Sequence, residues 1–205
     1  MNTLVQIEAA DQRLLSSIAE SMDEAVRRGG SWIACRPGCT QCCIGPFAIT
    51  SLDALRLRQG LDALRTQDRV RAARVQERAT AYIQLIAPDY PGNAQTGALD
   101  DEDALPEFMD DVPCPALDPA TGTCDLYEAR PITCRTFGPV TRLAADSYAA
   151  CELCYEGATD EQMAACAVGI DPDGIEAAIL KSIEGTGLPS RTVVAYALMP
   201  GAAAP

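Results

Sequence analysis

Four cysteines crowd into one short run, Cys35-x3-Cys39-x2-Cys42-Cys43, and six more follow in a 205-residue chain that contains no histidine. That combination constrains the chain more than any other feature. Thiolates two or three residues apart in one loop can reach a common metal. Without histidine there is no imidazole general base, no Ser–His or Cys–His nucleophile pair and no mixed Cys/His zinc site. Any metal must be held by sulfur, with carboxylate oxygen as the other strong donor.

Disulfides are the competing use of clustered cysteines. Ten in 205 residues is sparser than in short secreted disulfide scaffolds. The start of the chain, MNTLVQIEAADQRLL, lacks the basic-then-apolar order of an export signal. No run reaches the roughly 18 apolar residues of a membrane span. The expectation is a cytoplasmic protein, where a reducing environment favours metal binding over disulfides. Against 16 basic residues stand 29 acidic ones, a net charge of −13. This argues against nucleic acid, which calls for a basic footprint, and against an anionic membrane surface. The partners expected are metal ions and a redox protein.

Hydrophobic residues make up 48% of the chain and aromatic ones only 5%. A core of Ala, Leu, Val and Ile suits packed helices. The expected fold is mainly α: a small helical domain with long cysteine-bearing loops organised around metal, and little β. Residues 1–205 read as a single domain. Within it, 1–30 holds an N-terminal helix, with Leu14, Ile18, Met22 and Val26 at helical spacing and Gly29-Gly30 as its stop. The Gly- and Pro-rich stretch 31–50 is the first cysteine loop. Segment 51–87 is helical from an N-cap at Thr50-Ser51, with Leu57, Leu61, Leu64, Ala72, Val75, Ala79, Tyr82 and Ile86 on one stripe and a break expected at Gly60 or at 66–69. Its seven arginines read as solvated helix faces.

Segment 88–113 is an acidic loop, expected to lie against the arginine-rich helix and to carry a short helical turn near Leu105–Met109. The second cysteine region, 114–155, has turn chemistry at Asp118-Pro119 and Thr121-Gly122, and helical turns over 124–130 stopped by Pro131. Segment 156–205 holds two helices, one from Thr159 to about Val168 and one from Asp171 to about Glu184, then a strand-like run at Thr192–Met199.

The candidate ligands are Cys35, Cys39, Cys42, Cys43, Cys114, Cys124, Cys134, Cys151 and Cys154. Adjacent side chains generally point apart, so Cys42 and Cys43 are expected to serve different metals or different irons of one cluster. Cys114, Cys124 and Cys134 would complete coordination with the first loop, and Cys151-x2-Cys154 forms a separate pair. Cys166, in Ala-Ala-Cys-Ala-Val, reads as a buried small hydrophobe. The spacing of Cys35, Cys39 and Cys42 also matches the cluster loop of radical S-adenosylmethionine enzymes, but the βα alternation of their barrels is missing.

A longer pattern is more specific. After the first run come Cys114-Pro115-Ala116-Leu117, Cys124-Asp125-Leu126-Tyr127, Arg130-Pro131-Ile132-Thr133-Cys134-Arg135 and Cys151. Over about residues 35–151 this resembles the YkgJ-type cysteine-cluster family, also called CxxCxxCC, a zinc- or iron-chelating domain; here the first gap has three residues rather than two. The resemblance places the family's eight cysteines at Cys35, Cys39, Cys42, Cys43, Cys114, Cys124, Cys134 and Cys151, with Cys154 outside that set. It extends to flagellin lysine N-methylases, which carry a related cysteine region with an iron–sulfur cluster. Arg130 and Arg135 can set positive charge beside anionic thiolates, or Arg130 can pair with an acidic neighbour; Tyr127 can pack or donate to sulfur.

Three functions are consistent with this reading. The favoured one is an all-cysteine iron–sulfur cluster or multinuclear thiolate site with a redox or electron-transfer role. The alternative is zinc in structural or storage four-cysteine sites. The third is a cluster-dependent transferase similar to the flagellin methylases, for which the sequence offers no recognisable substrate pocket.

Overall fold

A computed structural model of the chain describes residues 3–101, 105, 111–144, 147–184 and 189–199, with side chains for these from residue 6 onward except Ala144. In chain order the first elements are α1 (Thr3–Gly29), β1 (Ala48–Thr50), α2 (Ser51–Gln67), α3 (Arg69–Ile86), β2 (Gly92–Asn93), β3 (Ala98–Leu99), β4 (Leu117–Asp118) and β5 (Thr123–Cys124). There follow α4 (Ile132–Thr136), β6 (Thr141–Ala144), β7 (Ser147–Ala149), α5 (Asp160–Cys166), β8 (Val168–Gly169), α6 (Ile175–Ile183), β9 (Arg191–Val193) and α7 (Val194–Ala197). The fold is mainly α with small sheets, as the composition implies. The chain divides into two compact units: residues 1–36 with 132–183, and residues 37–131 with 184–205.

In the second unit, β1 pairs antiparallel with β9, Ala48 opposite Val193 and Thr50 opposite Arg191. Thr50 then caps α2. Its hydroxyl accepts from the Asp53 N–H, and the Asp53 carboxylate accepts from the Thr50 N–H, a complete capping box. The helical stripe breaks at Asp68, whose side chain accepts from Arg71 N–H and so starts α3. The expected stripe is buried along its length, from Leu57 to Ile86. It packs with Ile49, Val194 and Leu198 in one cluster, and with Tyr90, Leu99, Val193 and Tyr196 in a second.

Two expectations change here. The tail is a strand only over Arg191–Val193 and then turns into α7. Residues 192–198 are all buried, and an apolar run covered on every side carries no periodicity to separate strand from helix. The arginines are also not all solvated. Arg56 and Asp53 form a buried ion pair at 2.5 Å, and Arg71 and Arg78 both clasp the Asp125 carboxylate. Of the acidic run, residues 102–104 and 106–110 lie outside the described residues, as does most of the helical turn expected at Leu105–Met109.

In the first unit, α1 packs on α4, α5, α6 and β8. Leu14 and Ile18 are buried as expected. Further along, Ala25 rather than Val26 faces inward, because the apolar stripe drifts around a helix of this length. The sheet order is β7-β6-β8, with β8 parallel to β6. Thr159 caps α5 in a second capping box with Gln162. The Asp171 carboxylate accepts from the N–H groups of Ile175 and Glu176, so α6 starts later than Asp171 itself. Among the described residues no helix is long and apolar enough to cross a membrane.

Candidate metal centre

None of the ten cysteines is joined in a disulfide, and they fall five to each unit. The second unit carries Cys39, Cys42, Cys43, Cys114 and Cys124. The first carries Cys35, Cys134, Cys151, Cys154 and Cys166. The opening cysteine run is thus divided between the units after its first member.

In the second unit the first loop and the β4–β5 hairpin are tied together through backbone. The Cys114 N–H donates to Cys43 O at 2.7 Å, the Gly45 N–H donates to Val112 O at 2.9 Å, and Ile44 bridges to Pro113. The hairpin sets Leu117 opposite Cys124. Its turn is held by the Asp118 carboxylate, which accepts from Ala120 N–H and the Thr121 hydroxyl, and it closes through Gly122 at φ +66°. The Gly38 Cα and the Thr40 methyl lie 3.8 Å from where a Gly122 Cβ would stand, so the Cys39 loop runs alongside this turn.

Gln41–Cys43 form a 3-10 turn, with Cys43 N–H donating to Thr40 O. Within this tight turn the Cys42 thiol is placed to accept from the Cys43 thiol. That bond, with the Cys42 backbone and the Arg130 charge adding to it, pulls the Cys42 thiol down to about 6 against burial. Cys43, the partner that keeps its proton, is pushed up by the same bond, by burial and by the neighbouring sulfurs of Cys42, Cys114 and Cys124. Burial pushes Cys114 up to about 12 and raises Cys124. Four sulfurs from two stretches of chain therefore feel one another, and Arg130 supplies the positive charge. Its guanidinium also stacks 3.7 Å from the centre of the half-exposed Tyr127 ring, which gives Tyr127 a packing role.

Asp125 is the residue that sequence reasoning passed over. Its side chain is 2% exposed and is held by Arg71 and Arg78, while Arg78 also donates to Pro115 O at 2.8 Å. This clamp fastens both ends of the Cys114–Cys124 segment to α3. The signal was present in Cys124-Asp125-Leu126-Tyr127, since an acid beside a candidate ligand cysteine, with an arginine-rich helix upstream, is a candidate anchor.

In the first unit, Cys151 and Cys154 are buried and joined by a turn, with Cys154 N–H donating to Cys151 O at 2.9 Å. Tyr155 N–H donates to Trp32 O at 2.9 Å, which brings this turn to the segment ending in Cys35. Cys151 N–H donates to Gly138 O, and a Cβ on Gly138 would lie 2.6 Å from Cys35 Sγ. Cys134 sits on α4. Cys166 is buried, as expected, and its thiol donates to Arg28 O at 3.4 Å.

Among the described residues, no three Cys, Asp or Glu side chains already stand in positions to share one ion. The donors of the second unit nevertheless suit a thiophilic metal, being soft sulfurs from the first loop and the hairpin with the Arg130 charge acting on Cys42 and Cys124. Loading requires the thiols to lose protons and draw together, as metal sites coupled to folding do.

The CxxCxxCC family model, "Putative zinc- or iron-chelating domain", matches residues 34–154, more than half of the chain. No curated protein and no solved structure matches it.

Proposed function

The chain belongs to the CxxCxxCC family of cysteine-rich domains, and from that premise we propose that it holds an iron–sulfur cluster or multinuclear thiolate centre with a redox or electron-transfer role. Cys42, Cys43, Cys114 and Cys124 are its core ligands, with Cys39 on the adjoining loop as a fifth donor. The observation that carries the proposal is the bond from Cys114 N–H to Cys43 O at 2.7 Å, which brings the vicinal pair Cys42–Cys43 to Cys114 and, through the β4–β5 hairpin, to Cys124. Five sulfurs exceed the four of one tetrahedral ion, and vicinal sulfurs can serve adjacent metal atoms of one cluster.

When bound, an iron–sulfur cluster supplies one-electron transfer at a potential set by charge, hydrogen bonds to sulfur and solvent exposure. This chain's residues supply the setting. Arg130 offsets thiolate charge, as its effect on Cys42 and Cys124 reflects. The Asp125–Arg71–Arg78 clamp fixes the hairpin that presents Cys114 and Cys124. Burial of Cys114 keeps water from that side of the site.

Anaerobic purification with a visible spectrum, and with iron, zinc and acid-labile sulfide counted per chain, tests the proposal. A coloured protein with iron and sulfide is expected. A colourless protein holding zinc and no sulfide would leave the zinc alternative, a structural or storage site, as the function.

A further inference from the structure

In the first unit a groove of about 470 Å³ runs along α1, lined by Ser17, Glu20, Ser21, Glu24, Arg28 and Arg142 and by the chain entering β8. It contains no sulfur. We propose that this groove binds a small zwitterion of the amino-acid class, an amino acid or dipeptide, with the ammonium on Glu20 and the carboxylate on Arg142.

The four charges of the lining carry the argument. Two of them are matched within the protein. Arg28 Nε donates to Glu24 Oε1 at 2.6 Å and Arg28 Nη1 donates to Ala167 O at 3.2 Å, so this pair fastens α1 to the chain ahead of β8. Arg27 also pairs with Glu24. Glu20 and Arg142 remain. Among the described residues Glu20 enters no hydrogen bond or ion pair. Arg142 is held in place without being used up. Its Nη1 donates to the hydroxyl of its cross-strand partner Tyr148 at 3.3 Å, and its guanidinium lies 5.2 Å from the centre of that ring. Four of the five guanidinium N–H donors are left for a ligand. One groove is thus faced by one negative and one positive pole. A simple cation would leave Arg142 unmatched and a simple anion would leave Glu20 unmatched, whereas a ligand carrying both signs serves both.

The rest of the lining suits such a molecule. Ser17 and Ser21 lie on the groove face of α1 beside Glu20, at helical spacing, and their hydroxyls have no partner among the described residues. A hydroxyl donates and accepts, so it can serve an ammonium or a carboxylate. Gly169 in β8 gives the groove room. A Cβ there would meet no atom within 4 Å, and its backbone is not left-handed. Neither packing nor a turn calls for glycine at this position, and glycine within a strand often marks the close approach of a ligand. The volume falls at the lower end of ligand clefts, about 300–1,000 Å³, as a small ligand requires.

The test is isothermal titration calorimetry of the purified full chain with the L-amino acids and their glycyl dipeptides. Cysteine and histidine are left out because both chelate metal, so the outcome is independent of the metal held by the second unit. At least one probe should bind saturably with a dissociation constant of about 0.1–1 mM, the weak scale of charge pairs open to solvent. Its N-acetyl and methyl-ester forms, each lacking one charge, should bind about tenfold more weakly or not at all. Glu20→Gln and Arg142→Gln should each weaken binding about tenfold. Gly169→Leu, which removes no polar group, should abolish it. Far-UV circular dichroism checks the fold of each variant.

No saturable binding of any probe up to about 10 mM, well above the expected constant, would overturn the proposal. So would equal binding of a singly charged form, or binding unaltered by any of the three substitutions. Should Gly169→Leu or Arg142→Gln fail to fold, Glu20→Gln, on an exposed helix position, decides.

Discussion

Replacing Gly60 by alanine should weaken this protein, although alanine is the better helix former. Gly60 lies inside α2, where glycine costs roughly 0.5–1 kcal/mol relative to alanine. By propensity alone the substitution would stabilise. A Cβ at this position, however, would overlap the Ala129 Cβ well inside contact distance, whereas its next neighbours, Ala129 Cα and Leu126 Cδ2, lie at an ordinary 3.8 Å. Overpacking of this kind costs about 1–3 kcal/mol. The expected net is a loss of about 1 kcal/mol, with the turn Tyr127–Ala129 pushed outward and Arg130, next in sequence, moved with it.

Because one atom makes the clash, G60A/A129G should relieve it. Urea unfolding of the four proteins in the cycle should give a coupling energy of about 2 kcal/mol, the scale of residues in contact. A second readout follows from Arg130. In G60A the pH midpoint for alkylation of Cys42 should rise, and in the double variant it should return. A G60A protein more stable than wild type, or a coupling energy near zero, would refute the packing argument.

Three further outcomes are expected. Asp125→Asn should cost about 2–4 kcal/mol in urea unfolding, below the upper end for a fully buried pair because Arg71 and Arg78 are partly solvated and can rehydrate; it should also speed alkylation of Cys124, and a loss under about 0.5 kcal/mol would contradict the clamp. Cys42 should be the first thiol of the second unit to react with iodoacetamide in the metal-free protein, with a midpoint near 6, and Arg130→Ala should move that midpoint upward; earlier labelling of Cys43 or Cys114, by peptide mass spectrometry, would reverse the assignment. Cys114, pushed up to about 12 by burial, should make the metal-free protein lose stability at high pH. Below an unfolded thiol value of roughly 8.5 its contribution is full, and it falls as pH climbs from there towards 12, since the unfolded thiol sheds its proton while the folded one must keep it. Urea midpoints at pH 7 and pH 10 should diverge less in Cys114→Ala than in wild type.

The helices were legible because their signals are local. Thr50 and Thr159 are caps by residue type and spacing, and the stripe from Leu57 to Ile86 follows the 3.6-residue period. The cysteines were legible as donors for the same reason. What they join was not, because the bonds from Tyr155 to Trp32 and from Cys151 to Gly138 link distant stretches that no periodicity connects. The contact between Cys42 and Cys43 depended on a 3-10 turn that the Gly- and Pro-rich composition left open. Asp125 escaped because an arginine on a helix usually faces water, and only the folded hairpin shows where Arg71 and Arg78 reach.

Both units are discontinuous in the chain, and this bears on the order of events during synthesis. While the ribosome works, α1 emerges first, but α4, α5 and α6 follow only after residues 37–131 have been made. Likewise β1 waits for β9, its distant partner in sequence. Pairings so distant in sequence close slowly. A nascent chain therefore carries Cys35 to Cys43 before the stretches that complete their units have been made. Which ion the finished chain holds would then depend on what is supplied during that interval as well as on the fold.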